Sequence, residues 1–123
     1  MHLKIGDINM SKLLAGVGLF LFGQILIWYQ TNGQFKWDWC AKNPFAMALI
    51  FSIPISYGFI IATKYVVGYF DGALWPGRFI GFATGIMSFA ILTSFYMDEG
   101  INARTATSLV LATALVAIQI LWK

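Results

Sequence analysis

The stretch LLAGVGLFLFGQILIWYQ, residues 13–30, decides the fold: it carries no charge, Lys12 precedes it, and Trp28 and Tyr29 stand near its end. At about 1.5 Å of rise per residue, such a run covers most of the roughly 30 Å hydrocarbon layer of a bilayer. Amphipathic rings settle at headgroup depth, so Trp28 and Tyr29 read as an interfacial pair. The run is longer than the roughly 7–15 apolar residues of a signal peptide, and no small-x-small cleavage site follows, so it reads as a permanent span.

Three further stretches repeat the pattern, giving four spans at 12–30, 44–63, 76–97 and 105–122. Pro44 opens the second at a position where its missing N–H costs nothing. Pro54 falls mid-span, and its ring is expected to free the carbonyl of Ile50 and bend the helix, with Ser52, Ser56 or a neighbouring helix taking up the freed group. The third span starts at Pro76 and carries Arg78 one turn in, within reach of the interface. The fourth follows Asn102 and Arg104 and ends on Trp122 and Lys123 as an anchor. Connections of about thirteen, twelve and seven residues make consecutive helices antiparallel neighbours. The expectation is an all-α polytopic membrane protein, four transmembrane helices in two hairpins, forming one integral membrane domain over residues 1–123.

Composition excludes the alternatives. Of 123 residues, 59% are hydrophobic and 11% charged, against about 25% charged in soluble domains. So few charges cannot cover a small soluble fold, the hydrophobicity excludes disorder, and the lone Cys40 excludes an internal disulfide. The net charge of +3 does not indicate nucleic acid. Lys4, Lys12, Lys36, Lys42, Lys64, Arg78, Arg104 and Lys123 form no patch and sit at the edges of apolar segments. With four spans, Lys4, Lys12, Lys64, Arg78 and Lys123 share a side with both termini, against Lys36, Lys42 and Arg104 opposite. That five-to-three bias points to both termini in the cytoplasm, in an inner or plasma membrane, and is small enough to suit a protein that inserts both ways as well.

No catalytic constellation is present. His2 is the one histidine and lies at the chain's start; one His, one Cys and carboxylates outside the spans assemble no metal site. Asp98 and Glu99 are adjacent and read as a solvated turn. Neither a glycine-rich phosphate loop nor a nucleophile elbow occurs. The chain is therefore not expected to be an enzyme, and no cofactor is implied. No ionisable residue lies in the middle third of any span, which argues against simple proton coupling through a buried carboxylate.

Among the deep polar side chains, which include Tyr57 and several hydroxyls, Gln24 stands out. An amide facing lipid leaves donors and an acceptor unpaired, so Gln24 should meet protein, water or a ligand. An interhelical hydrogen bond, worth roughly 0.6–2 kcal/mol, and contact with a solute are both open. Gly77, Gly81 and Gly85, followed by Ser88, put a smooth groove on one face of the third helix, suited to packing against a neighbour. Ser108, Ala112, Thr113 and Ala117 make a weaker stripe, a possible dimer seam. The first loop, TNGQFKWDWCAKN at 31–43, alternates Phe35, Trp37 and Trp39 with charges and reads as an interfacial anchor. The apolar segment YVVGYFDGALW at 65–75 is suited to extending a flanking helix.

Four short-looped spans in about 120 residues resemble the single-copy members of the drug/metabolite transporter superfamily, such as the small multidrug resistance proteins. The likeness covers most of residues 12–122. Ala73, Leu74, Trp75, Pro76 and Gly77 echo the Ala-x-Trp-x-Gly pattern that opens the third helix there. Phe95, Tyr96, Met97, Asp98, Glu99 and Gly100 echo the aromatic and Glu-containing turn before the last helix, and Trp28-Tyr29 the pair that ends the first. The small multidrug resistance proteins bind protons and cationic substrate in turn on a first-helix glutamate, whose nearest counterpart here is Gln24. A glutamine cannot titrate, so the resemblance implies the fold and a dimeric cavity while putting proton-coupled cation export in doubt.

The resulting expectation is a lipid-embedded homodimer that moves or binds a small neutral or weakly polar solute. Gln24, Tyr57 and Trp75 line the path, Gly77, Gly81 and Gly85 let one helix slide or bend, and the bend at Pro54 aids alternate access. The rival is a non-transporting accessory subunit of a larger membrane complex, docked through the glycine face.

Overall fold

Five helices make up the computed structural model, which describes the backbone of residues 2–122 and the side chains of 10–122. The readings of His2, Lys4 and Lys123 lie outside the described side chains. Helix α1 runs His2–Asn32, followed by a 3-10 turn at Gly33–Phe35 and the short α2, Asp38–Lys42. Then come α3, Pro44–Tyr69, α4, Trp75–Met97, and α5, Ala103–Leu121. Four segments are long and apolar enough to cross a membrane: Met10–Phe35, Pro44–Tyr69, Trp75–Met97 and Ala103–Leu121. The protein is an all-α polytopic membrane protein.

The two hairpins are α1 with α3, joined by the 31–43 segment, and α4 with α5, joined by a tight turn. Helix α1 also lies along α4, so α1, α3 and α4 share a core while α5 touches α4 and stands at the edge. The core is Phe20, Ala62, Val66 and Ile80, with Leu13, Val17, Leu19 and Phe59 against it. Lipid tails are as apolar as these side chains, so close packing and interhelical hydrogen bonds hold the helices together here rather than expulsion of water.

On α3 the buried positions are Met47, Ile55, Gly58, Ala62 and Val66, a helical stripe turned toward α1. Two glycines of α1 set the approach. A Cβ on Gly16 would lie 2.7 Å from Val66 Cγ2 and 3.1 Å from the Ala62 carbonyl; one on Gly23 would lie 2.4 Å from Phe59 Cε1. Two glycines of α4 are less tight, a Cβ on Gly77 or Gly81 coming no nearer than 3.6 Å to Val66 or Phe20, while one on Gly85 would meet the Gln24 side chain at 3.0 Å. The closest backbone approach is therefore made by α1, and not by the glycine face of the third span.

Helix α3 continues past the expected boundary to Tyr69, absorbing half of the 64–75 connection. It closes with Asp71 at φ 56° and Gly72 at φ 90°. The Gly72 N–H returns to the Val67 carbonyl at 2.9 Å, a Schellman closure with Asp in the left-handed position. Helix α3 is also continuous through Pro54. The Ser52 hydroxyl donates to the Ala48 carbonyl, one turn back, and so does not take up the Ile50 carbonyl.

The 31–43 segment is folded onto the end of the bundle. Gly33 is buried, and its carbonyl accepts from the N–H groups of Lys36 at 3.0 Å and Trp37 at 2.8 Å. Lys36 Nζ donates to the Tyr96 carbonyl at 3.2 Å, placing a cation on the negative end of the α4 dipole. Trp28, expected at the lipid interface, is 2% exposed. Its Nε1 donates to Thr93 Oγ1 at 2.9 Å, and its ring stacks on Tyr96 with centroids 5.3 Å apart. The indole N–H needs a partner once it leaves water, and Thr93 supplies it inside the bundle.

Candidate functional site

An open-sided cavity of about 800 Å³ lies where α1, α3 and the amino-terminal half of α4 meet. Its walls are Phe20 and Gln24 from α1, Phe59 and Thr63 from α3, and one face of α4 and its approach, with Trp75, Arg78, Phe79 and Phe82 around the glycines. That size falls in the roughly 300–1,000 Å³ range of small-molecule sites, and the wall has their character too, mostly apolar with a few polar groups.

Gln24 is held in place from two sides. Its Nε2 donates to the Gly81 carbonyl at 3.0 Å, and the Thr84 hydroxyl donates to the same carbonyl at 2.9 Å. A Cβ on Gly85 would lie 3.0 Å from the amide Cδ, Nε2 and Oε1. The glycine is thus the room the amide occupies. With Nε2 committed to Gly81, Oε1 has no donor among the described residues and is the amide's remaining acceptor. One amide therefore has an interhelical bond and a place on a cavity wall at once.

Of the residues singled out from sequence, Gln24, Trp75, Gly77, Gly81 and Gly85 all line this cavity. Trp75 is the first residue of α4 and its ring sits 6.2 Å from that of Phe79. Tyr57 does not belong. It is 67% exposed and faces away, because the stripe of α3 toward α1 runs through Ile55, Gly58 and Ala62 and the cavity takes Phe59 and Thr63 one position further round. Among described residues no group of three or more His, Cys, Asp or Glu gathers to hold a metal ion.

Sequence reasoning passed over Arg78, Thr63 and Phe59 as wall residues. Arg78 was placed at the lipid interface on its position alone, yet it stands next to Gly77 in the turn that faces the cavity. The i, i+4, i+8 glycine spacing was the available signal, since whatever neighbours such a face on the helix wheel also borders the space that the face opens.

Two other hollows accompany this one. One of about 320 Å³ lies between α4 and α5 and takes in Ser94, Glu99, Thr105, Ser108 and Ala112. Ser108 and Ala112 of the expected seam thus look toward α4. The other, of about 800 Å³, lies between α1, α4 and α5 around Thr84, Val116 and Gln119. Ser88, buried in α4, has a hydroxyl with no hydrogen-bond partner among the described residues.

Compared with family models, with curated proteins and with solved structures, the chain matches none.

Proposed function

We propose that this protein is a small carrier of drug/metabolite transporter-like architecture that binds and moves a small solute, neutral or weakly polar over most of its surface, and works as a homodimer. One observation carries the reading: a mid-span amide, Gln24, borders a ligand-sized cavity and packs there against the glycine face of α4, which lines the same cavity. Four helices rarely enclose a path unaided, and a second copy supplies the missing wall. Helix α5, none of whose membrane window is buried, offers the surface for it.

The test is Gln24→Leu in proteoliposomes, with a panel of small neutral solutes and uptake as readout. Loss of the Gly81 hydrogen bond is expected to cost about 0.6–2 kcal/mol, leaving the fold intact while uptake is lost. Unchanged uptake in that variant would overturn the reading.

The same free face of α5 also favours a second reading, an accessory subunit docked on a larger membrane protein. Purification in mild detergent separates the two. A stoichiometric larger partner supports the accessory role, and a dimer whose thermal stability rises with a solute supports the carrier.

A further inference from the structure

Among the described residues, Arg78 is the one charged side chain on the wall of the Gln24 cavity, and no carboxylate lines it. A guanidinium within a membrane helix is costly unless it reaches water, a lipid phosphate or an anionic partner. The remaining polar groups on the wall, the Gln24 amide and the Thr63 hydroxyl, carry no charge to balance it. The rest of the wall is apolar and rich in aromatic rings, with Phe20, Phe59, Trp75 and Phe79. The amino-terminal turn of α4 lies beside Arg78 and adds the positive end of its dipole. The cavity therefore has a positive end and an apolar body.

We infer that the cavity takes an amphiphilic oxyanion: a single carboxylate or phosphate-type group seated on Arg78, and an apolar body lying toward Gln24 and Gly85. This rests on the carrier reading and narrows it, because the solute's low-polarity body ends in one acidic group. Arg78 and Gly85 are seven positions apart on α4, about 10 Å along the axis, which sets the reach of the body. The planar guanidinium forms two parallel hydrogen bonds to a carboxylate, which an ammonium cannot reproduce. A hydrocarbon body with a cationic head would put like charge on Arg78 and is disfavoured. The acid group can belong to a free solute or to a bilayer lipid, since the chemistry on the wall is the same.

Three probes of one shape test this: phenylbutyrate, phenylbutanol and phenylbutylamine, each measured by equilibrium dialysis against the full chain in phosphatidylcholine nanodiscs, with empty discs subtracted. Phenylbutyrate is expected to bind about tenfold more tightly than the alcohol, the size of one charge-assisted hydrogen bond, and the amine most weakly. Arg78→Gln should erase the preference for the acid over the alcohol. Arg78→Lys, which still reaches lipid phosphates, should keep only part of it. Adding phosphatidylglycerol distinguishes the sources: displacement of phenylbutyrate assigns the oxyanion to a lipid, and its absence to a free solute. Equal binding of acid and alcohol, or an acid preference that survives Arg78→Gln, overturns the inference while the carrier reading stands. Failure of all three probes to bind overturns the cavity as a solute site, and the inference with it.

Discussion

Gly16 and Gly23 stand seven positions apart on α1, on the face that meets α3, yet a methyl group added to each meets a different kind of neighbour. At Gly16 the obstacles are Val66, fully buried, and a backbone carbonyl of α3, neither of which can withdraw without parting the helices. Gly16→Ala is expected to destabilise by about 1–3 kcal/mol, the cost of overpacking a closed interface. At Gly23 the obstacle is the Phe59 ring, which borders the cavity and can swing into it. Gly23→Ala should therefore cost less stability and shrink the cavity, lowering solute affinity. Thermal melts of both variants in detergent, alongside solute binding, check the pair; a larger melt penalty for Gly23→Ala than for Gly16→Ala would contradict the assignment.

At the scale of elements, the least legible segment was 31–43. Its alternating rings and charges read as an interfacial anchor, but periodicity in a short stretch does not say what it covers. What it covers is the end of the bundle: Trp37 lies with its ring centroid 5.5 Å from Tyr96, and Lys36 caps the α4 carbonyls. The spans themselves were legible because a bilayer demands one long uninterrupted apolar run per crossing, a requirement written in consecutive residues. Which face of each helix meets which neighbour was not, since the same apolar side chains suit protein and lipid; hence Trp28 is buried in the bundle instead of lying at the interface, and Tyr57 lies outside the cavity of the single copy. Gln24 was legible as a residue that needs a partner, but the partner, a carbonyl of Gly81, has no side-chain identity to read. The contact of Lys36 with α4 predicts its own signature. Lys36→Met should lower the melting temperature modestly, by the equivalent of about 0.3–1 kcal/mol, and the difference from the native chain should narrow as salt is raised. A penalty independent of salt would assign the lysine's contribution to packing of its stem instead.

For the whole molecule, assembly turns on α5, none of whose membrane window is buried. Most of its half-buried positions, Thr105, Leu109, Ala112, Val116, Gln119 and Ile120, fall on one stripe turned toward the rest of the bundle. Val110, Leu111, Leu115 and Ile118 are exposed on the remaining surface. With 19 residues the helix is about 28 Å long, enough to cross the hydrocarbon layer almost upright, so it can lie flush along a second upright helix. Of the small-residue stripe, Ser108 and Ala112 line the gap toward α4. A homodimer formed through α5 would instead use the bulky free face, by knobs of Val, Leu and Ile rather than by close backbone contact. Single cysteines placed in turn at Val110, Leu111, Ala114, Leu115 and Ile118, in a Cys40→Ser background, are expected to cross-link in liposomes with a helical period along this face. Cysteine at Phe45, exposed on α3, serves as the comparison position. Cross-linking that ignores the helical period, or that is no stronger than at Phe45, would remove α5 from the dimer. The carrier would then need its second wall from another face of the bundle, and the accessory reading would gain the free helix.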